Sequence, residues 1–260
     1  GDMSHDFRIY GNNIFAAGWG FTVDELNRYH SLDTYGSAIV LWEGDEETVL
    51  ISLQQYHRVL HRYVAERDAF VMCNTWGDRS RDGRVNEKFI MRELEIAKSL
   101  GISSYQIDDG WQRGITANSI ISGGVWEGYH KSNPDFWKVN EERFPNGLGP
   151  ITKAATAKDI WLGLWFSPDS TDNFANWEKD ADILIELHRK YGARLFKLDG
   201  IKIRSKKGEQ NLFNMMQKVV RETDGKVLFN LDVTAEVRNG YYGRVQYGCL
   251  FFGEQVYRLA

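Results

Sequence analysis

The chain has 260 residues, 42% of them apolar, which suffices for one large domain or one domain with an attachment. Its formal net charge of −4 argues against a nucleic-acid partner, and no apolar run approaches the ~18–20 residues of a membrane helix. Cys73 and Cys249 sit in apolar runs without metal-ligand or disulfide spacing, so both read as buried thiols.

Residues 1–69 read as a β-rich N-terminal segment, either the end of a separate β-rich domain or a connector. Within it, residues 37–42 and 48–53 are β-formers flanking Gly44-Asp45, a pattern that predicts a hairpin. Gly1-Asp2-Met3 has the look of an added leader, and no secretion signal is visible. The compartment therefore stays open: cytoplasmic, or periplasmic or secreted if a signal was removed.

From residue 70 the rhythm becomes strand, loop, helix. Residues 70–76 form an apolar strand, and 86–100 an amphipathic helix stopped by Gly101. A strand over 104–108 follows, then a segment rich in Gly, Trp and Tyr over 110–145. Helices are expected at 151–158, 177–191 and 210–222, and strands at 160–166, 194–198, 227–231 and 248–252. Strands alternating with helices imply a parallel α/β sheet. Residues 70–260 read as a partial (β/α)8 TIM-type barrel of about six βα units, where closure needs eight strands; a doubly wound open sheet is the other arrangement with sites at the strand C-termini.

Several strands end in polar or charged residues: Asn74, Asp108 with Asp109, Ser167, Lys197 with Asp199, and Asp232. Chemistry at strand C-termini is the habit of that barrel. Lys197 and Asp199 lie two apart, so they share a face. A fixed cation keeps a neighbouring acid ionised, which suits Asp199 to act as a carboxylate nucleophile. A rival use is Lys197 as a Schiff-base lysine. Asp108 and Asp109 are consecutive, so one can face a ligand while the other braces a loop.

Trp76, Trp111 and Trp165 offer flat surfaces for a sugar or plain packing, and Arg238 can hold a substrate hydroxyl or pair at the surface. Asp232, Glu236 and Glu254 are the candidates for a second carboxyl. No nucleotide loop or Ser-His-Asp elbow is present, and the Asp pair lacks His or Cys company for a metal.

Asp108-Asp109-Gly110-Trp111, Phe144-Pro145-Asn146-Gly147-Leu148, Gly163-Leu164-Trp165-Phe166 and Lys197-Leu198-Asp199 occur in this order. In these motifs the chain resembles the melibiase-type α-galactosidases of glycoside hydrolase family 36, over roughly residues 70–254. The resemblance implies a (β/α)8 catalytic barrel behind an N-terminal β-sandwich, of which residues 1–69 would be the remnant, and retaining hydrolysis of terminal α-galactosides through a glycosyl-aspartate without a metal or organic cofactor. By the same resemblance Asp199 is the nucleophile, and Lys197, Asp108, Asp109, Trp111 and Arg238 contact the galactose. Trp165 is counted with the substrate-binding residues.

The family's acid/base aspartate falls at or beyond strand six, where residues 252–260 offer only Glu254. The resemblance therefore implies impaired turnover and open barrel edges through which copies can associate. Alternatives on the same residues are an α-N-acetylgalactosaminidase or other α-glycosidase, and a non-hydrolytic sugar-binding protein.

Overall fold

The computed structural model describes residues 5–18, 28–29, 39–78, 80–233 and 246–251. Strands β1 (His5–Tyr10) and β2 (Asn13–Gly18) form an antiparallel hairpin. Helices α1 (Glu46–Leu60) and α2 (Ala65–Asp68) follow. The hairpin predicted over 37–53 is therefore corrected. Asp45, read as a turn residue, caps α1 by accepting from the Thr48 backbone N–H at 3.1 Å, with Glu46 and Glu47 in the first turn. The β-branched Thr48, Val49 and Ile51 favour strands, but the cap and the acidic first turn favour a helix. Of the predicted first arm, residues 37 and 38 lie outside the described residues, and 39–42 carry no regular structure.

The second sheet has six parallel strands in the order β3 (Met72–Asn74), β4 (Ser104–Ile107), β5 (Trp161–Phe166), β6 (Leu195–Leu198), β7 (Leu228–Asp232) and β8 (Gly248–Phe251). Each strand pairs with its sequence neighbour. The crossovers carry α3 (Glu87–Ser99), α4 (Tyr129–Ser132), α5 (Gly149–Thr156), α6 (Trp177–Tyr191) and α7 (Lys206–Glu222). All six strands and the four long helices that the sequence predicts from residue 70 onward are present, with ends shifted by a few residues. Helix α7 starts earlier than predicted because Ser205 caps it, accepting from Gly208 N at 3.0 Å.

The sheet curls into a barrel wall. Flat strands three apart would stand about 14 Å from each other. Yet Asn230 on β7 donates to Gln106 on β4 at 3.1 Å, and Asn74 on β3 donates to the same oxygen at 3.2 Å. The interior is thus crossed by amide side chains, and the fold is a partial (β/α) barrel. Its apolar layer lies between strands and helices. Asn86 caps α3 by accepting from Phe89 N at 2.9 Å, and the helix then buries Ile90, Leu94 and Ala97 on one stripe. Helix α6 buries Ala181, Leu184, Ile185 and Leu187 in the same way. No helix among the described residues is long and apolar enough to cross a membrane.

Candidate active site

The site forms at the C-terminal ends of β4, β6 and β7. Lys197 is 1% exposed, and its ammonium Nζ lies 3.0 Å from Asp108 Oδ2 and 3.2 Å from Asp232 Oδ2. Asn74 Nδ2 also donates to Asp108 Oδ2, at 2.9 Å, and Thr75 Oγ1 accepts from the Asp108 backbone N–H. Burial works to lower the Lys197 pKa, but the surrounding Asp108, Asp199 and Asp232 carboxylates outweigh it and raise the pKa. Burial in turn pushes Asp108 above the usual carboxylate range, with Lys197 pulling against it. Within this cluster the proton stays on the lysine.

Asp199 follows β6 and is only partly buried. Its Oδ2 accepts from the Trp165 indole N–H at 3.2 Å and its Oδ1 from the Gly200 backbone N–H at 2.6 Å. Gly200 has φ +65°, and a Cβ there would stand 2.5 Å from Ser167 Oγ and 2.7 Å from Trp126 Cε3. Only glycine fits both the backbone angle and the space. Trp165 is held in turn, its carbonyl accepting from the Trp111 indole N–H at 2.9 Å.

The two consecutive aspartates divide as alternation requires. Asp108 faces Lys197. Asp109 turns to the following loop, where Gln112 Nε2 donates to its Oδ1 at 2.6 Å and Thr116 Oγ1 to its Oδ2. Burial raises the Asp109 pKa to about 7, against the pull of the Thr116 and Gln112 hydrogen bonds.

Asp108, Lys197, Asp199 and Trp165 therefore come together as a set, and Asp109 abuts it from the loop side. Trp111 is 0% exposed; it packs with Trp137 at 5.9 Å between ring centres, so its surface is spent on packing. Arg238, Glu236 and Glu254 lie outside the described residues. Asp232, expected as a possible second carboxyl, is instead an ion-pair partner of Lys197. Thr75, Gln112 and Thr116 were not anticipated, since nothing in a lone Thr or Gln marks it before the fold brings it to a carboxylate. Among the described residues no group of His, Cys, Asp or Glu is arranged to hold a metal ion. A cavity of about 510 Å³ between the 110–145 segment and α6, lined by Trp137, Phe144, Ile183, Leu187 and Tyr191 among others, holds none of these site groups.

Carboxylates gathered about a lysine at the strand tips of a parallel barrel define a class: (β/α) barrel proteins with a charged cluster at the C-terminal face, where barrel enzymes place their chemistry. Within that class the melibiase family model matches residues 47–246, and the chain belongs to that family. Among curated relatives, the α-galactosidase of Escherichia coli is 29% identical over 120 residues, covering 45% of this chain and 15% of its own length. Alpha-galactosidase Mel36A of Lactobacillus acidophilus is 26% identical over 174 residues, covering 64% of this chain and 22% of its own. The chain thus spans less than a quarter of the length of either.

Two solved structures confirm the fold. The α-galactosidase TtGalA of Thermus thermophilus, in complex with p-nitrophenyl α-D-galactopyranoside, superposes with a TM-score of 0.56 at 19% identity, over 82% of this chain and 46% of its own. A variant of the GH36 α-galactosidase AgaA of Geobacillus stearothermophilus, in complex with 1-deoxygalactonojirimycin, gives 0.56 at 17%, over 78% and 34%.

Proposed function

We propose that this site belongs to a retaining glycoside hydrolase acting on terminal α-galactosides, with Asp199 as the nucleophile. The observation that carries it is the pairing of a partly exposed Asp199, oriented by the Trp165 N–H, with a buried Lys197 ammonium between Asp108 and Asp232. Asp199 attacks the anomeric carbon, forming an ester bond as the glycosidic C–O bond breaks. Water then cleaves the ester, and two inversions give net retention. Lys197 and Asp108 offer a donor and an acceptor for sugar hydroxyls. A Schiff-base role for Lys197 is disfavoured, because such a lysine needs a lowered pKa and its neighbours raise this one.

Asp108 and Asp232 are committed to Lys197, and Asp109 to Gln112 and Thr116. The acid/base group that protonates the leaving oxygen is thus unassigned among the described residues. General acid help is worth about 10²–10⁴-fold, so activated substrates that need little of it are the first to try.

The test is incubation with 2-deoxy-2-fluoro-α-galactosyl fluoride, whose fluoride leaves with little acid assistance. A mass gain of one fluorogalactosyl unit, mapped to Asp199, is expected. An adduct elsewhere would remove Asp199 from its role. A folded chain that binds galactose but takes no label would favour a non-hydrolytic sugar-binding protein.

A further inference from the structure

Residues 126–130 form a strap across the ends of β5 and β6, fastened at four consecutive positions. Glu127 accepts from both terminal nitrogens of Arg204, at 2.9 and 3.0 Å, and lies 3.6 Å from Lys202 Nζ. The Gly128 N–H donates to Asp169 Oδ1 at 2.8 Å. The Tyr129 hydroxyl sits 2.9 Å from both the Ser167 carbonyl and Asp180 Oδ1, and His130 Nε2 is 2.7 Å from Asp180 Oδ1. Held this way, the Trp126 ring lies against Gly200, the residue after Asp199. It also meets Trp165, the residue that orients Asp199, at 6.2 Å between ring centres. Trp111 and Trp165 are buried, whereas Trp126 keeps part of its surface open.

Resting on the galactosidase reading above, we propose that Trp126 is a specificity-determining residue that forms the wall of the leaving-group side of the site. A terminal sugar enters the strand ends first, so the group to be expelled is what remains at the mouth. There a flat, partly open indole beside Asp199 meets the C–H face of a second sugar ring. The fastenings keep that wall in place before any ligand arrives, so little ordering is needed on binding. The occupant is the sugar joined to the terminal galactose of an oligosaccharide.

The probes are raffinose, a trisaccharide in which a terminal galactose is joined to a disaccharide, and galactose, which lacks a leaving group. Each is titrated as a protectant against labelling by 2-deoxy-2-fluoro-α-galactosyl fluoride, in the wild-type chain and in Trp126→Ala and Trp126→Phe. The readout is the ratio of raffinose to galactose affinity. It should fall about tenfold in Trp126→Ala and roughly threefold in Trp126→Phe, which keeps a smaller ring, as expected for the loss of one aromatic contact. An unchanged ratio, whether both affinities hold or both fall together, would overturn the proposal and leave Trp126 a packing residue. If Trp126→Ala does not fold, the Trp126→Phe ratio decides alone. A folded wild-type chain that neither binds galactose nor takes label would defeat the galactosidase reading itself, and the wall with it.

Discussion

Lys197 is the residue on which the site's electrostatics turn. Replacing it with Met would leave Asp108 and Asp232 buried without their shared cation. A broken buried ion pair costs about 3–5 kcal/mol, and urea denaturation at neutral pH should register a loss of that size. The lysine's folded pKa lies above its ordinary value of 10.5, so its stabilisation is complete below that pH and disappears only as pH rises through the folded value. A wild-type stability curve that already falls by neutral pH through this group would contradict the assignment.

Asp109 behaves in the opposite sense. Its carboxyl titrates at about 7 against an ordinary 3.8, so the folded state holds the proton longer than the unfolded one. Stability linked to Asp109 is present below about pH 4 and is lost as pH rises to about 7, by roughly 4 kcal/mol in all. In Asp109→Asn the carbonyl still accepts from Gln112, and the Thr116 hydroxyl can turn to accept from the new amide. The variant's stability should therefore vary less than the wild type's between pH 4 and 7. Parallel profiles would refute the shift. The position of Lys197 and Asp199 on one face, and the split of Asp108 from Asp109, are legible in the sequence because alternation along a strand is local. The partners of Lys197 are not, since Asp108 lies on a different strand and 89 residues away.

At the scale of elements, the strap hangs on Asp180 in the first turn of α6. Its fully buried carboxylate accepts from the Tyr129 hydroxyl, from His130 and from the Asp169 N–H. Asp180→Ala orphans these donors at about 1–3 kcal/mol each. A stability loss of about 3 kcal/mol or more is expected, together with faster amide exchange over residues 126–130. Unchanged exchange there would mean that the Glu127 and Gly128 ties suffice. The barrel strands were readable because buried parallel strands are continuous apolar runs, as in Trp161–Phe166. Helix α1 is hidden in the sequence because its β-branched residues make a strand-like pattern, while the deciding signal is the cap residue Asp45, a residue type equally at home in a turn. The strap was invisible in advance: Trp126 to His130 carry no motif, and their partners come from 38 to 77 residues further on.

Across the whole molecule, β3 and β8 each pair on one side only among the described residues. Unpaired edges template association with another chain. Sedimentation velocity should show mass rising with protein concentration, and a monomer throughout the range would dispose of the idea. The fold class is legible in the sequence because six apolar strands interleaved with four amphipathic helices repeat one simple rhythm. The curl of the sheet is not, since it depends on amides such as Asn74, Gln106 and Asn230 meeting across the interior.

The same long reach fixes when the site can exist. Lys197 needs Asp108 from 89 residues earlier and Asp232 from the following strand, and Asn230 reaches Gln106 across 124 residues. Contacts so distant in the chain close late, because loop entropy must be overcome first. Until both carboxylates arrive, the β6 ammonium stays in water, since burying it alone costs far more than the strand gains. The sheet can zip from β4 to β6, yet its innermost lysine docks only when β7 completes the cage. Assembly of the reactive centre thus waits on β7, and a nascent chain holds its first strands before its chemistry.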